Sequence, residues 1–180
     1  MTRALLIVDI QNDYFPGGKM ELEGSDQASQ RAKQLLAAFR DRHLPVIHVQ
    51  HLAIQPNATF FLPNTEGAVI HANVTPVAGE TLIQKHFPNS FRDTPLLDHL
   101  RKAGIKDLII AGMMTHMCID ATTRAAFDAG FTCSLAHDAC ATRSLSFGDR
   151  KVPAEQVQTS FLSALNGVYA SVRPASELIA

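Results

Sequence analysis

Residues 107–130, DLIIAGMMTHMCIDATTRAAFDAG, pass from one hydrophobic periodicity to another. Leu108 to Ala111 is an apolar run of strand length, and Gly112 interrupts it. From Met117 onward small and apolar residues recur at helical spacing (Met117, Ala121, Ala125, Phe127, Ala129), and Gly130 is a natural helix stop. The spacing predicts strand, tight turn, helix, with Cys118 in the helix's first turn. Unpaired backbone N–H groups and the positive end of the helix dipole at that position favour a thiolate and can hold an oxyanion. Cys118 reads equally well as a small buried hydrophobe.

The rest of the chain repeats the alternation. Residues 4–8, ALLIV, form a continuous apolar run, as in a strand covered on both faces, and Asp9 closes it. Ser25 is placed to cap a helix over about 26–42, with Ala28, Ala32, Leu35, Leu36 and Phe39 as its stripe. Pro45 opens a second strand, VIHVQ. TLIQK (81–85) is a third, ending on Lys85. Thr94 caps a helix over about 95–103, and Gly104 stops it. FTCSLAHD (131–138) is a fifth strand, 139–152 a loop, Pro153 the start of a helix through about Leu165, and VYASV (168–172) a sixth strand. Alternating strands and helices predict an α/β fold, a mostly parallel six-stranded sheet with helices on both faces. No internal boundary divides residues 1–180, so a single domain is expected.

Composition narrows the function. The chain is 46% hydrophobic and 18% charged with net charge −1, so no electrostatic argument favours nucleic acid or anionic membrane. No apolar run reaches the roughly 20 residues of a membrane span. The opening MTRALLIVDI lacks the cleavage site of a signal peptide, and the three cysteines (Cys118, Cys133, Cys140) fit neither a disulfide framework nor a paired zinc site. A cytoplasmic setting is expected. Gly17-Gly18 is a turn, and no GxGxxG or Walker pattern occurs. The long segment 52–80 holds Phe60, Phe61, Leu62, Val69 and Ile70, which points to an interface and a homo-oligomer.

Asp9, Lys85 and Cys118 all stand at strand or helix ends, and in a parallel sheet such ends converge on one edge. Taken alone, Asp9 reads as a turn cap and Lys85 as a solvated charge. Taken together, the three make a nucleophile, a cation that activates it and a base.

The residues DIQNDYF (9–15), LIQKHFPNSF (82–91) and GMMTHMCIDATTRAA (112–126) resemble the isochorismatase-like cysteine hydrolases, a superfamily that includes nicotinamidases and carbamoylsarcosine amidohydrolases. The likeness runs over nearly the whole chain and implies a Rossmann-like six-stranded fold. It also implies Cys118 as nucleophile, Asp9 as general base and Lys85 as activating cation. It further implies a cis peptide at Met113–Met114, with the Met114 and Cys118 N–H groups as an oxyanion hole and Thr115 supporting the turn. Members that cleave a vinyl ether generally lack the cysteine, so Cys118 points to acyl chemistry on an amide or carbamoyl C–N bond. An isochorismatase-type ether hydrolase and a non-catalytic oligomeric binding protein are the alternatives. The D-x-H metal pattern of nicotinamidases is missing around His48 and His51, which face opposite sides of a regular strand. No metal or cofactor is therefore expected, and these histidines read as core or rim residues. Phe15, Phe87, Phe91, Thr115 and His116 are candidates to line a pocket for a small amide substrate, with core packing or helix capping as the alternative.

Overall fold

The computed structural model describes residues 2–179. The apolar run 4–8 lies in strand β1 (Thr2–Val8), and its side chains divide between two cores in strict alternation. Leu5 and Ile7 join one core; Ala4, Leu6 and Val8 join the other. Both faces of the strand are dry, which is why its sequence shows no polar alternation.

The other strands are β2 (Val46–His51), β3 (Thr81–Lys85), β4 (Ile105–Met113), β5 (Thr132–Ala141), β6 (Leu145–Phe147), β7 (Arg150–Val152) and β8 (Ser171–Arg173). The helices are α1 (Ser25–Asp41), α2 (Leu96–Lys102), α3 (Asp120–Asp128), α4 (Ala154–Leu165) and α5 (Ala175–Leu178). Six strands form one sheet in the order β3-β2-β1-β4-β5-β8, with every pairing parallel. Leu35, Leu36, Ala175 and Leu178 bring α1 and α5 onto one face. Leu96, Leu100, Ala126 and Leu165 bring α2, α3 and α4 onto the other. None of the helices among the described residues is long and apolar enough to cross a membrane.

The chain builds outward from β1 to β3 on one side and then from β4 to β8 on the other. The strand order therefore reverses between β1 and β4, and the crevice beyond their C-terminal ends is where such sheets bind ligands.

Several elements differ from the sequence expectation. Gly112 does not end the fourth strand but lies within it, paired with Val8. Its φ is +141°, and a Cβ there would meet the Val8 carbonyl oxygen at 2.0 Å. The glycine is required by close approach of β1, not by a turn. The helix expected from Met117 begins at Asp120, and residues 115–119 form a π-turn before it. The buried face of turn and helix together is Cys118, Ile119, Thr122, Thr123 and Ala126, one step out of phase with the expected stripe; Met117 and Phe127 are 40% and 42% exposed.

Ser25 is the first residue of α1 rather than its cap; Gly24, at φ +77°, precedes it. Pro95 is the backbone cap of α2, while Thr94 Oγ1 accepts from the Leu96 N–H at 3.4 Å. The segment 139–152 is not simply loop. It holds the end of β5 and the antiparallel β6–β7 hairpin. The final strand is shorter than expected, because only Ser171–Arg173 reach β5. In segment 52–80, Phe61 is fully buried against Tyr14 and Phe60, so part of that apolar content belongs to the chain's own core.

Candidate active site

Asp9 follows β1, Lys85 ends β3 and Cys118 lies in the π-turn that follows β4. The parallel sheet brings them together. Lys85 Nζ is 2.7 Å from Asp9 Oδ2, and Cys118 Sγ lies within 4.8 Å of the Asp9 carboxylate. Asp9 and Lys85 expose no surface and Cys118 only 3%. This burial excludes the reading of Lys85 as a solvated charge.

Each residue is held by backbone that the nearby sequence makes possible. The close approach at Gly112 carries the end of β1 onto β4. Asp9 then turns out of the strand at φ +53°, an uncommon conformation for a non-glycine residue, while its N–H still bonds Val49 O at 3.0 Å. Lys85 Nζ also donates to Pro88 O at 2.7 Å, so the FPNSF loop folds back over the ammonium. That loop is tied to α3 through the Ser90 N–H, which donates to Thr122 Oγ1 at 3.1 Å. The Met113–Met114 peptide is cis. Thr115 Oγ1 donates to Ala141 O at 3.2 Å, joining the start of the π-turn to the end of β5.

The electrostatics favour a charged Lys85 beside a Cys118 thiol. Burial alone would lower the Lys85 pKa, but Asp9 and then Cys118 outweigh it and the pKa rises. Lys85 is an ammonium. Burial raises the Cys118 pKa well above the ordinary thiol range and the Asp9 charge raises it further, against the opposing pull of Lys85. Cys133 and Cys140 are also pushed up to about 12, chiefly by burial.

Three neighbours complete the surroundings. His51 Nδ1 lies 3.9 Å from Asp9 Oδ2, so His51 belongs to the site rather than to the core or rim. Gln11 fixes it, accepting from the His51 N–H at 2.8 Å and donating to His51 O at 2.9 Å. His48, on the opposite face, pairs with Glu80 at 2.8 Å. Tyr14 is buried beside the trio, and burial, Cys118 and Asp9 together hold its phenol well above the ordinary pKa. The motif DIQNDYF contained it, but its role depends on how the 12–22 loop folds back, which no local pattern encodes. His116 sits 9% exposed with Nδ1 2.5 Å from Thr142 Oγ1; burial and then Arg143 keep its pKa below the usual value.

The ligand atoms of Asp9, His51 and Cys118 lie within 4.8 Å of one another. They suit a metal ion poorly, because the Lys85 ammonium already stands 2.7 Å from the carboxylate and would face the cation. The proposed aromatic wall is not one surface. Phe15 stacks on His71 at 3.7 Å, Phe91 on Phe131 at 6.1 Å, and the Arg92 guanidinium covers Phe87 at 3.6 Å. Phe15 and Phe91 pack into cores on opposite faces of the sheet.

The chain as a whole resembles known proteins. Residues 3–162 match the isochorismatase domain. The chain is 53% identical over 173 residues to YddQ of Bacillus subtilis, an uncharacterized isochorismatase family protein, covering 96% of each. It is 29% identical over 144 residues to nicotinamidase 3 of Arabidopsis thaliana, covering 77% of this chain and 73% of that one. A crystal structure of an isochorismatase-hydrolase homologue from Oleispira antarctica superposes with a TM-score of 0.96 at 52% identity, over 99% of this chain and 96% of that one. A hydrolase of the isochorismatase family is what these matches establish: the chain belongs to that family.

Proposed function

We propose that this protein hydrolyses a C–N bond of a small amide or carbamoyl compound through a thioester on Cys118. The observation that carries the reading is the burial of a Cys, a Lys and an Asp together, with Lys85 Nζ 2.7 Å from Asp9 Oδ2 and Cys118 Sγ within 4.8 Å of the Asp9 carboxylate. A buried thiol with a raised pKa needs a base at hand and a cation to receive its charge, and both are present.

Asp9 takes the Cys118 proton as the substrate carbonyl arrives, and Lys85 stabilises the thiolate. Sulfur attacks the carbonyl carbon, and the N–H groups of Met114 and Cys118 receive the oxyanion. The intermediate collapses with cleavage of the C–N bond, and Asp9 returns its proton to the leaving nitrogen. Water, deprotonated by Asp9, then attacks the thioester; collapse breaks the C–S bond and releases the acid, and Asp9 returns the proton to the Cys118 sulfur. A nucleophilic cysteine at this position favours acyl transfer over vinyl ether cleavage, and the nicotinamidase likeness points the same way.

Ammonia release from a panel of amides, ureides, hydroxamates and N-carbamoyl compounds tests the reading, with isochorismate as a comparison substrate. At least one C–N substrate is expected to turn over in the wild type and not in Cys118→Ala. Turnover of isochorismate alone, or activity that survives Cys118→Ala, would overturn it.

A further inference from the structure

Strand β2 delivers a fourth polar side chain to the trio. His51 ends β2 and is paired in register with Lys85 at the end of β3. Its Nδ1 lies 3.9 Å from Asp9 Oδ2, and ligand atoms of His51, Asp9 and Cys118 all lie within 4.8 Å of one another. The backbone around it is fixed from several directions. Gln11 clamps the His51 N–H and carbonyl, Gln50 Nε2 donates to Ala68 O at 2.9 Å, and the Leu52 N–H donates to Lys85 O at 2.9 Å. The ring lies against Phe61, centroids 6.0 Å apart.

A separation of 3.9 Å is too long for a direct hydrogen bond, and it suits one water about 2.8 Å from each atom. The carboxylate has acceptor capacity left for such a water: Oδ2 faces Lys85, and Oδ1 is buried with no hydrogen-bond partner among the described residues. Burial holds the His51 pKa below its ordinary value against the opposing pull of Asp9. At pH 7 the imidazole is neutral, with one ring nitrogen free to accept. The His51 side chain is 15% exposed where those of Asp9 and Lys85 expose nothing, so it stands on the side from which solvent enters. The two half-reactions differ in what they need. Cys118 is fixed by the fold and passes its proton to Asp9 unaided. A water is not fixed by the fold, and must be turned so that its oxygen faces the thioester carbon.

We propose that His51 is a catalytic residue of the second half-reaction: with Asp9 it holds the water that hydrolyses the Cys118 thioester. One hydrogen of the water meets Asp9 and the other meets His51 Nδ1, which leaves an oxygen lone pair for the carbonyl carbon. Attack forms the C–O bond as Asp9 takes the first hydrogen as a proton; collapse breaks the C–S bond, and that proton passes to sulfur. His51 keeps its own proton on Nε2 throughout. The assignment rests on the Cys118 thioester of the reading above and not on the amide nature of its substrate.

The test uses p-nitrophenyl acetate, an activated ester whose leaving group needs no proton, so that it acylates a reactive cysteine whatever the natural substrate. Nitrophenolate release gives acylation as a burst and deacylation as the steady state that follows. In His51→Leu the burst rate is expected to stay within a few-fold of wild type while the steady state falls roughly 10- to 100-fold, the order of a misplaced reacting group. Intact-mass analysis and peptide mapping should show acetyl-Cys118 accumulating, and hydroxylamine, a stronger nucleophile than water, should restore its turnover. His51→Asn, whose amide reaches the place of Nδ1, should retain part of the rate. A steady state unchanged in His51→Leu would overturn the proposal, as would a burst and steady state that fall together. Should His51→Leu not fold, His51→Phe, which keeps a flat ring against Phe61, is read by the same outcomes. The amide panel separates the two readings: if no C–N substrate turns over but acetyl-Cys118 clears slowly in His51→Leu, the water site stands while the amidase reading falls. A wild type that forms no acyl-Cys118 overturns both.

Discussion

Lys85 Nζ lies 2.7 Å from Asp9 Oδ2, and neither side chain reaches solvent. Breaking such a pair from one side leaves an uncompensated buried charge, at a cost of about 3–5 kcal/mol. Lys85→Met is therefore expected to lose stability by that order in urea unfolding at pH 7, along with activity. The sign of the pH dependence follows from the raised Lys85 pKa. Its contribution is complete below the ordinary value of 10.5 and is lost as pH rises through the higher folded-state value. Wild-type stability should fall above that ordinary value by a component absent from Lys85→Met. Identical alkaline profiles would refute the assignment.

Asp9 and Lys85 push the Cys118 thiol in opposite directions, behind the larger effect of burial. Asp9→Asn is therefore expected to lower the thiol pKa and speed iodoacetamide labelling of Cys118 several-fold at about pH 8, while cutting turnover by at least about 100-fold. Lys85→Met should slow labelling. Peptide mapping separates Cys118 from Cys133 and Cys140. Slower labelling in Asp9→Asn would contradict the arrangement.

Gly112 offers a packing test. A methyl group there meets backbone of Val8, not a side chain that can move, and φ is +141°. Gly112→Ala is expected to cost at least about 3 kcal/mol or prevent folding. Gly104→Ala, with nothing within 4 Å and φ +65°, should cost about 1–2 kcal/mol. Comparable thermal midpoints for the two variants would show that the β1–β4 approach can relax.

Glu80 joins Arg40, at 2.6 Å, to His48, at 2.8 Å. Burial opposes its ionisation, yet hydrogen bonds from Arg40, the Val77 N–H and His48 outweigh burial and hold its pKa at about 2. The stabilisation is present above the ordinary value of 4.5 and is lost as pH falls through about 2. Glu80→Gln should be less stable by about 2 kcal/mol at pH 7. Thermal melts across that acid range should show the gap between the two proteins closing, and a constant gap would refute the network.

Self-association is expected through segment 52–80 and its neighbours. Ile54, Leu62, Val69 and Val77 remain 38–59% exposed even with Phe61 internal. Light scattering should give a multiple of 19.6 kDa. Leu62→Asp together with Val69→Asp should shift it toward the monomer, and a wild-type mass of one chain would rule out the association.

The sequence by itself determined the α/β alternation, because its signals are local. The run Ala4–Val8 is apolar throughout since both faces of β1 are buried, and the carboxylate and ammonium closing two strands were legible as chain-end chemistry. The family pattern joined Asp9, Lys85 and Cys118 across the chain. What periodicity could not deliver were relationships made in space. Gly112 resembles a strand stop until the Val8 carbonyl is seen against it, and the side of α3 that faces the core, Thr122 and Ala126, is chosen by the sheet it packs on. His51 joins the trio only because β2 lies beside β1 in register, Val8 opposite Val49, which brings the ends of the two strands level. The loop after Tyr14 is tied to the end of β5 through the Glu23–Thr142 bridge, a contact between residues 119 positions apart along the chain. Such placements are fixed by the closing of loops over a finished sheet, and a linear pattern of residue types carries no record of that closure.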